Sequence, residues 1–557
     1  MKPVTTSGGR SFTVLGDTAL VTMDRLAEIS DRLDADPRIA SVSLVAHRGG
    51  EPRFLRATAP AGAAIAVATD LGELVTEVPT EPEELTRWSQ EASERGFWHD
   101  WWLLGPPDVL AADPLVEAAS MDVREQQDLS SSRFTALSTE SIDPDGISLA
   151  IDATWLGPHE TGAQVLTTAA VRALALNPRV RSLHLVGIEV LPAYAAHLAD
   201  LDNVHLGTPE RTCDAIWYPN HIDQRVDMVG ARELGRRVIT TYLDLIAYDI
   251  PRYHASTDAW AAYRALQRRI ALSVDGITTI SADVAARLLE EVPRLEPERV
   301  QPIPLGLDHI TTASAEPGED IAHIRSSLGS RPFVLVLGND FVHKNRDFAL
   351  RVWEQLLERG VNCDIVLAGL HVKSSSSREQ EEALLAQHTN LRGAAHTVGH
   401  VSSASREWLL ANAAAVIYPS SAEGFGFVPY EAAALGTPAT FTAFGPLAEI
   451  SQLADMPRTW SVDDYANDLQ ALLNDPDRAH ARVRDLRAVI GRLTWEGFAD
   501  RLLDFIFSID ALPPVAGALV GGSAADASAL ASVLSSKTWR ATEPLRRIGG
   551  RIRGRQP

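Results

Sequence analysis

Cysteine is almost missing: the 557 residues include two, Cys213 and Cys363, far apart and in no metal-ligand spacing. That excludes a disulfide framework, argues against a cysteine zinc site and implies a reducing compartment. Long apolar runs are missing as well. No window offers the ~20 apolar residues of a membrane-spanning helix; "ALPPVAGALVGGSAADASALASVL" comes nearest and is mostly Ala, Gly and Ser. The first residues, "MKPVTTSGGRSFTVLGD", hold no apolar core of signal-peptide length, so the expected location is cytoplasmic. Positive charge is scarce, with 51 Lys and Arg against 73 Asp and Glu, a net charge of −22 that argues against nonspecific nucleic-acid binding.

The deficit is uneven. Residues 1–146 hold 12 basic against 25 acidic side chains, whereas residues 537–557, "KTWRATEPLRRIGGRIRGRQP", hold seven against one. A basic tail on an acidic body implies a separate task for the tail, and contact with an anionic membrane surface is the expectation. A location peripheral to the inner face of the membrane would follow.

The chain is too long for one core. From about residue 147, apolar β-rich runs alternate with helical patterns. "ISLAIDA", "SLHLVGI", "AIWYPN", "RVITTYLD" and "GITTIS" form a first series; "FVLVLG", "CDIVLAG", "AHTVGHV", "AAVIYPS" and "PATFT" form a second. Alternation of this kind predicts two α/β units, each a parallel sheet covered by helices, with ligands at the carboxyl ends of the strands. The expected division is an accessory region over 1–140, an acceptor-side domain over 147–312 and a donor-binding domain over 313–493. A terminal helix over 494–510 and a linker with basic tail over 511–557 complete it. In the first region a helix leads to a strand in "TALVTMDRLAEISDRLDADPRIASVSLV". "RWSQEASERGFWHDWWLLGPP" gathers Trp88, Trp98, Trp101 and Trp102, rings that either pack a core or stack on sugars.

One stretch carries chemistry. "AAVIYPS" reads as a strand, "SAEGFG" as a tight turn and "VPYEAAALG" as a helix with Pro429 in its first turn. Unpaired N–H groups at a helix start suit a phosphate, and Gly424 and Gly426 let backbone approach a ligand. Glu431, one turn into the helix, suits a ribose diol; Glu423, on the turn, faces what lies beyond the phosphates. Together these describe a site for a nucleotide sugar.

This stretch resembles the Glu-x7-Glu signature of the family-4 retaining glycosyltransferases, enzymes of the GT-B fold with two facing Rossmann-like domains. "VQPIPLGLD", "FVLVLGNDFVHKNRDFALRVW", "CDIVLAG", "TVGHVSSASREWLLANAAAVIYPSSAEGFGFVPYEAAALGTPA" and "GITTISADVAARL" resemble further parts of the family, over roughly residues 148–508. The resemblance implies that Glu423 contacts the donor sugar and Glu431 the ribose. Phe425, Gly426, Phe427 and Val428 would support sugar and diphosphate with their backbone, Lys344 would pair with the diphosphate, and His400 and Val401 would border the base. Thr161 and Gly162 resemble the family's loop facing donor and acceptor. It also implies a glycan or lipid-linked acceptor and no metal or other cofactor. The basic tail resembles those of bacterial surface-polysaccharide glycosyltransferases, which points to that kind of glycan synthesis or to cell-wall glycans.

Two positions depart from the family pattern. Asn339 stands where an arginine usually gives the diphosphate a second cation, with Arg346 or His343 as possible substitutes. In "TTYLDLIAYD" Leu243 stands where a histidine is usual, and Asp244 is retained beside it as a catalytic candidate. Two rival readings remain: a non-catalytic sugar-nucleotide-binding subunit of a polysaccharide assembly complex, and a glycoside hydrolase using the two glutamates as its acid and nucleophile.

Overall fold

The computed structural model describes residues 4–6, 10–16, 23–46, 53–57, 64–68, 85–104, 146–158, 160–223, 228–309, 316, 318–387 and 393–515. The basic tail, most of the expected linker before it and residues 105–145 lie outside the described residues. Among those described, no helix is long and apolar enough to cross a membrane.

Three sheets organise the chain. The first contains Val4–Thr5, Ser11–Gly16, Ile39–Ala46, Arg53–Ala57, Ala64–Ala68 and Trp98–Leu104 (β1 to β6) in the order β1-β2-β5-β3-β6-β4. Its pairings are antiparallel except β3 with β6. The helix Met23–Ala35 leads into β3, as its sequence predicts. Trp88 and Trp98 are buried in the cluster that includes the core of this domain.

The second sheet contains Ile147–Asp152, Val180–Val186, Val204–Leu206, Cys213–Tyr218, Gly235–Tyr242, Gly276–Thr279 and Val300–Pro302 (β7 to β13), ordered β13-β12-β11-β10-β7-β8-β9. The third contains Phe333–Leu337, Asp364–Ala368, Ala395–Val398, Ala415–Tyr418 and Ala439–Phe441 (β14 to β18), ordered β16-β15-β14-β17-β18. Every pairing in both is parallel. Helices on both faces remove water from these strands, which is why they read as unbroken apolar runs rather than as alternating ones. All five residues of β14 are buried, and so are all five of β15. The strand order reverses beside β7 in one sheet and beside β14 in the other, and a crevice opens at such points on the carboxyl side.

The last helix, Trp495–Asp510, does not stand apart. It buries Phe498, Leu502, Phe505, Ile506 and Ile509, and Phe498 meets Trp217 of β10 with ring centroids 6.1 Å apart. The chain therefore crosses between the two parallel-sheet domains twice. The crossings are tied to each other: Leu307 N–H donates to the Leu493 carbonyl at 2.7 Å, and Trp495 N–H to Asp308 Oδ1 at 2.9 Å.

Candidate active site

The carboxyl ends of the two parallel sheets face each other across a cleft of about 1600 Å³. One wall comes from the turns after β7, β11 and β13: Thr161 and Gly162, Leu243 and Asp244, Asp308 and His309. The other comes from the turns after β14, β16 and β17: Lys344, His400 and Val401, and the run Glu423–Val428 with Glu431 behind it. Most of the residues singled out from sequence are therefore gathered in one place. Asn339 is not among those that line the cleft. Its Oδ1 accepts from the Leu370 N–H at 3.0 Å and so joins the loops that follow β14 and β15.

Glu423 is anchored from two sides. Lys344 Nζ donates to its Oε1 at 2.5 Å and Tyr418 Oη donates to the same atom at 2.5 Å. Lys344 also reaches Tyr418 Oη at 3.3 Å. Burial, helped by Glu423, pushes the Tyr418 phenol well above its ordinary range, so it remains a donor. The Lys344 side chain keeps about a fifth of its surface exposed, enough to turn toward a ligand.

Glu431 lies in the short helix Val428–Ala434 and is almost wholly buried. Burial alone would raise its pKa. Arg406, which donates to Oε2, and His309, whose Nε2 lies 3.5 Å from Oε1, overcome that effect and hold it below the usual carboxylate range. The acid stays ionised and both oxygens are oriented. Nearby Glu160 moves the other way, because burial raises it more than Arg406 and His309 lower it.

The two candidates for a second cation are occupied. Arg346 is buried, with Nη2 donating to Glu381 at 3.1 Å and Nη1 to the Gly338 carbonyl at 3.3 Å. His343 is buried against Tyr253, and burial together with the Lys344 charge drives its pKa far down, so it is neutral. Lys344 and Arg406 supply the positive charge on the donor-side wall.

The walls touch at Gly424. A Cβ there would lie 1.7 Å from the carbonyl oxygen of Leu243, so only glycine lets the donor-side turn meet the end of β11. Asp244, next along, accepts from Ile246 N–H at 2.8 Å through Oδ1. Thr161 caps the helix Gly162–Ala175 together with Gln164, and a Cβ on Gly162 would be 3.6 Å from the Phe427 ring.

Sequence reasoning did not single out Tyr418, Arg406 or His309. Tyr418 ends a buried strand at its carboxyl end, a position that could have marked it. Arg406 sits on an ordinary amphipathic helix and His309 in a polar connection, where nothing distinguishes them from solvated side chains. Among the described residues no group of three or more His, Cys, Asp or Glu could hold a metal ion.

Two facing Rossmann-like domains with a cleft at their strand ends define the GT-B fold. A solved structure with this similarity is the N-terminal domain of trehalose-6-phosphate phosphatase from Candida albicans. It covers 68% of this chain and 100% of that one, with a TM-score of 0.50 and 12% identity. Residues 320–487, which carry Lys344, Arg406, Glu423 and Glu431, match the family model described as glycosyl transferases group 1. Among curated proteins, a D-inositol 3-phosphate glycosyltransferase of Segniliparus rotundus is 27% identical over 40% of this chain and 50% of its own length. An MMP alpha-(1->4)-mannosyltransferase of Mycolicibacterium hassiacum is 26% identical over 43% of this chain and 56% of its own. The chain thus spans about half the length of the curated relatives it matches.

Proposed function

We propose that the protein is a retaining glycosyltransferase that moves a hexosyl group from a nucleoside-diphosphate sugar to a hydroxyl of a glycan or lipid-linked acceptor. The observation that carries this reading is the Lys344–Glu423 contact at 2.5 Å in the same cleft as the ionised Glu431. A carboxylate able to grip sugar hydroxyls, a cation able to pair with a diphosphate and a second carboxylate able to accept from a ribose diol all line this cleft, which supports a nucleotide sugar as the donor. That one relative is named a mannosyltransferase supports a hexosyl group.

On binding, the diphosphate draws Lys344 partly away from Glu423. A lysine ~4 Å from a phosphate gains on the order of 4 kcal/mol in a partly buried site before desolvation. Tyr418 keeps Glu423 in place during this exchange, so the carboxylate remains beside the sugar and stabilises an oxocarbenium-like centre. The bond from the anomeric carbon to the phosphate oxygen breaks, and the acceptor oxygen bonds to that carbon on the same face. The acceptor's proton passes to the departing diphosphate. Lys344 balances the charge of the leaving group, and the reaction needs no metal. A place in bacterial surface-polysaccharide or cell-wall glycan synthesis, at the inner face of the membrane, belongs to the same proposal.

A hydrolase needs one carboxyl that stays protonated. Glu431 is held ionised, which counts against that role for it. The non-catalytic reading has a specific observation in its favour, since Arg346 and His343 are both committed elsewhere and Leu243 cannot share a proton. A thermal-shift screen of nucleotide sugars followed by an assay for nucleoside diphosphate release separates the two. Stabilisation with release supports transfer, stabilisation without release across an acceptor panel supports the binding subunit, and no stabilisation by any donor overturns both.

A further inference from the structure

The accessory domain meets the donor-side domain where Arg38 lies 5.0 Å over the Phe444 ring and, nearer the cleft, through three consecutive residues between the helix Leu85–Glu94 and β6. Arg95 sends Nη1 to Asn345 Oδ1 at 2.9 Å and to Asp347 Oδ1 at 2.7 Å, and Nη2 to Asp347 Oδ2 at 2.6 Å. Its carbonyl accepts from Ser421 Oγ. Gly96 holds φ at 87°, and a Cβ there would lie 2.9 Å from Ala422 Cβ. Phe97 packs edge-on against Trp460 with centroids 5.1 Å apart.

The contacts of these three residues converge on the two segments that carry the reactive pair. Asn345 follows Lys344 directly and turns the chain into the helix Arg346–Glu358 with a left-handed φ of 51°. Its Nδ2 donates to the Pro419 carbonyl at 2.8 Å, and Trp460 Nε1 donates to the same oxygen at 2.8 Å. Ser421 and Ala422 lead into Glu423. Arg95 and Asp347 are both buried, each side chain 8% exposed. A buried ion pair adds little net stability over apolar packing of the same volume, but its two-pronged geometry fixes position sharply.

We propose that Arg95, supplied by the accessory domain, is a positioning residue: by gripping Asn345, Asp347 and Ser421 it sets the separation between Lys344 and Glu423 into which the donor must fit. This rests on the donor-site reading of the cleft. The accessory domain is then a part of the transferase rather than an appendage, and the reach of Lys344 depends on its docking. Arg252 Nη1, which donates to Glu94 at 2.5 Å, ties the same domain to the acceptor side without touching either loop.

Arg95→Lys keeps the charge and loses the two-pronged geometry; Gly96→Ala keeps Arg95 and pushes against Ala422. Amide hydrogen exchange in both variants is expected to quicken at least tenfold within 342–346 and 419–424, with β7 and β14 unchanged. Turnover of the nucleotide sugar should fall at least tenfold, and the Kd of the free nucleoside diphosphate should rise with it, because the displaced Lys344 is the cation that pairs with the diphosphate. Arg252→Ala should leave exchange in both segments and turnover within twofold of the parent. Unchanged exchange at both segments in a folded Arg95→Lys protein overturns the proposal, and so does faster exchange with full turnover. If the parent protein turns over no donor at all, the donor-site reading fails, and exchange alone then decides whether Arg95 holds the loops.

Discussion

Lys344 Nζ stands 2.5 Å from Glu423 Oε1, joining the turn after β14 to the turn after β17. The pair is a neutral latch in the cleft, and its two halves have opposite effects on an anionic donor. Removing the lysine removes attraction; removing the carboxylate's charge frees the lysine and removes a repulsion.

Substitution of the two residues should therefore diverge. Lys344→Ala is expected to weaken donor binding and turnover at least tenfold with the fold intact. Glu423→Gln is expected to bind the nucleoside diphosphate several-fold more tightly while turnover falls at least tenfold, because the sugar loses its ionic partner. Calorimetric titration and a diphosphate-release assay check both. Equal effects of the two changes on binding would contradict the latch.

Arg406 keeps Glu431 ionised against the effect of burial. Arg406→Ala removes the largest influence that opposes desolvation, so the acid's pKa rises from its depressed value. In the parent protein donor affinity should be flat from pH 8 down to 5 as far as Glu431 is concerned. In the variant affinity should fall as pH drops through that range, since a protonated acid accepts fewer hydrogen bonds. Titrations of donor affinity at pH 5, 6, 7 and 8 test this, and parallel profiles for the two proteins would refute it.

Much of this site could be read in advance because it lies on strand ends. The apolar runs "FVLVLG" and "AAVIYPS" became β14 and β17, and parallel sheets force ligand groups to the positions that follow such strands. Lys344, Glu423 and Glu431 were legible for that reason. Tyr418, Arg406 and His309 were less so, since their roles come from contacts 5, 25 and 122 residues away along the chain. The docking of Arg95 was hidden most completely: an arginine after a helix reads as a solvated cap, and only its partners 250 and 252 residues away make it a buried one. Asn339 shows the reverse case, in which a position matched by motif order points its amide at a neighbouring loop.

The tail outside the described residues carries its own expectation. Each basic residue near an anionic surface adds about 1 kcal/mol, so the full chain should sediment with acidic liposomes and a chain lacking residues 530–557 should not. Equal pelleting of the two would end the membrane proposal.

Gly424 has no permissible replacement. Because an added Cβ would come within 1.7 Å of the Leu243 carbonyl, Gly424→Ala must part the two walls or displace the end of β11. The expected result is a loss of turnover of at least a hundredfold with a small change in Tm, because the contact lies between two turns at strand ends and not within either sheet. Turnover within threefold of the parent would mean that the walls need not touch for the reaction.

His99 makes the accessory domain sensitive to acid. It is fully buried with Nδ1 2.8 Å from Ser41 Oγ, and burial lowers its pKa to about 4 from an ordinary 6.5. The unfolded chain binds a proton at this site as pH falls through about 6.5, whereas the folded chain does not until about 4. Protons therefore favour the unfolded state across that window, and stability falls with falling pH. The shift corresponds to roughly 3 kcal/mol by the lower end. Buried His343, lowered in the same sense, steepens the loss in the donor-side domain. His99→Gln should lose some stability at pH 7 through poorer packing, yet show a shallower decline between pH 6.5 and 4. Urea unfolding followed at several pH values measures both slopes, and identical slopes for parent and variant would show that His99 titrates normally in the folded chain.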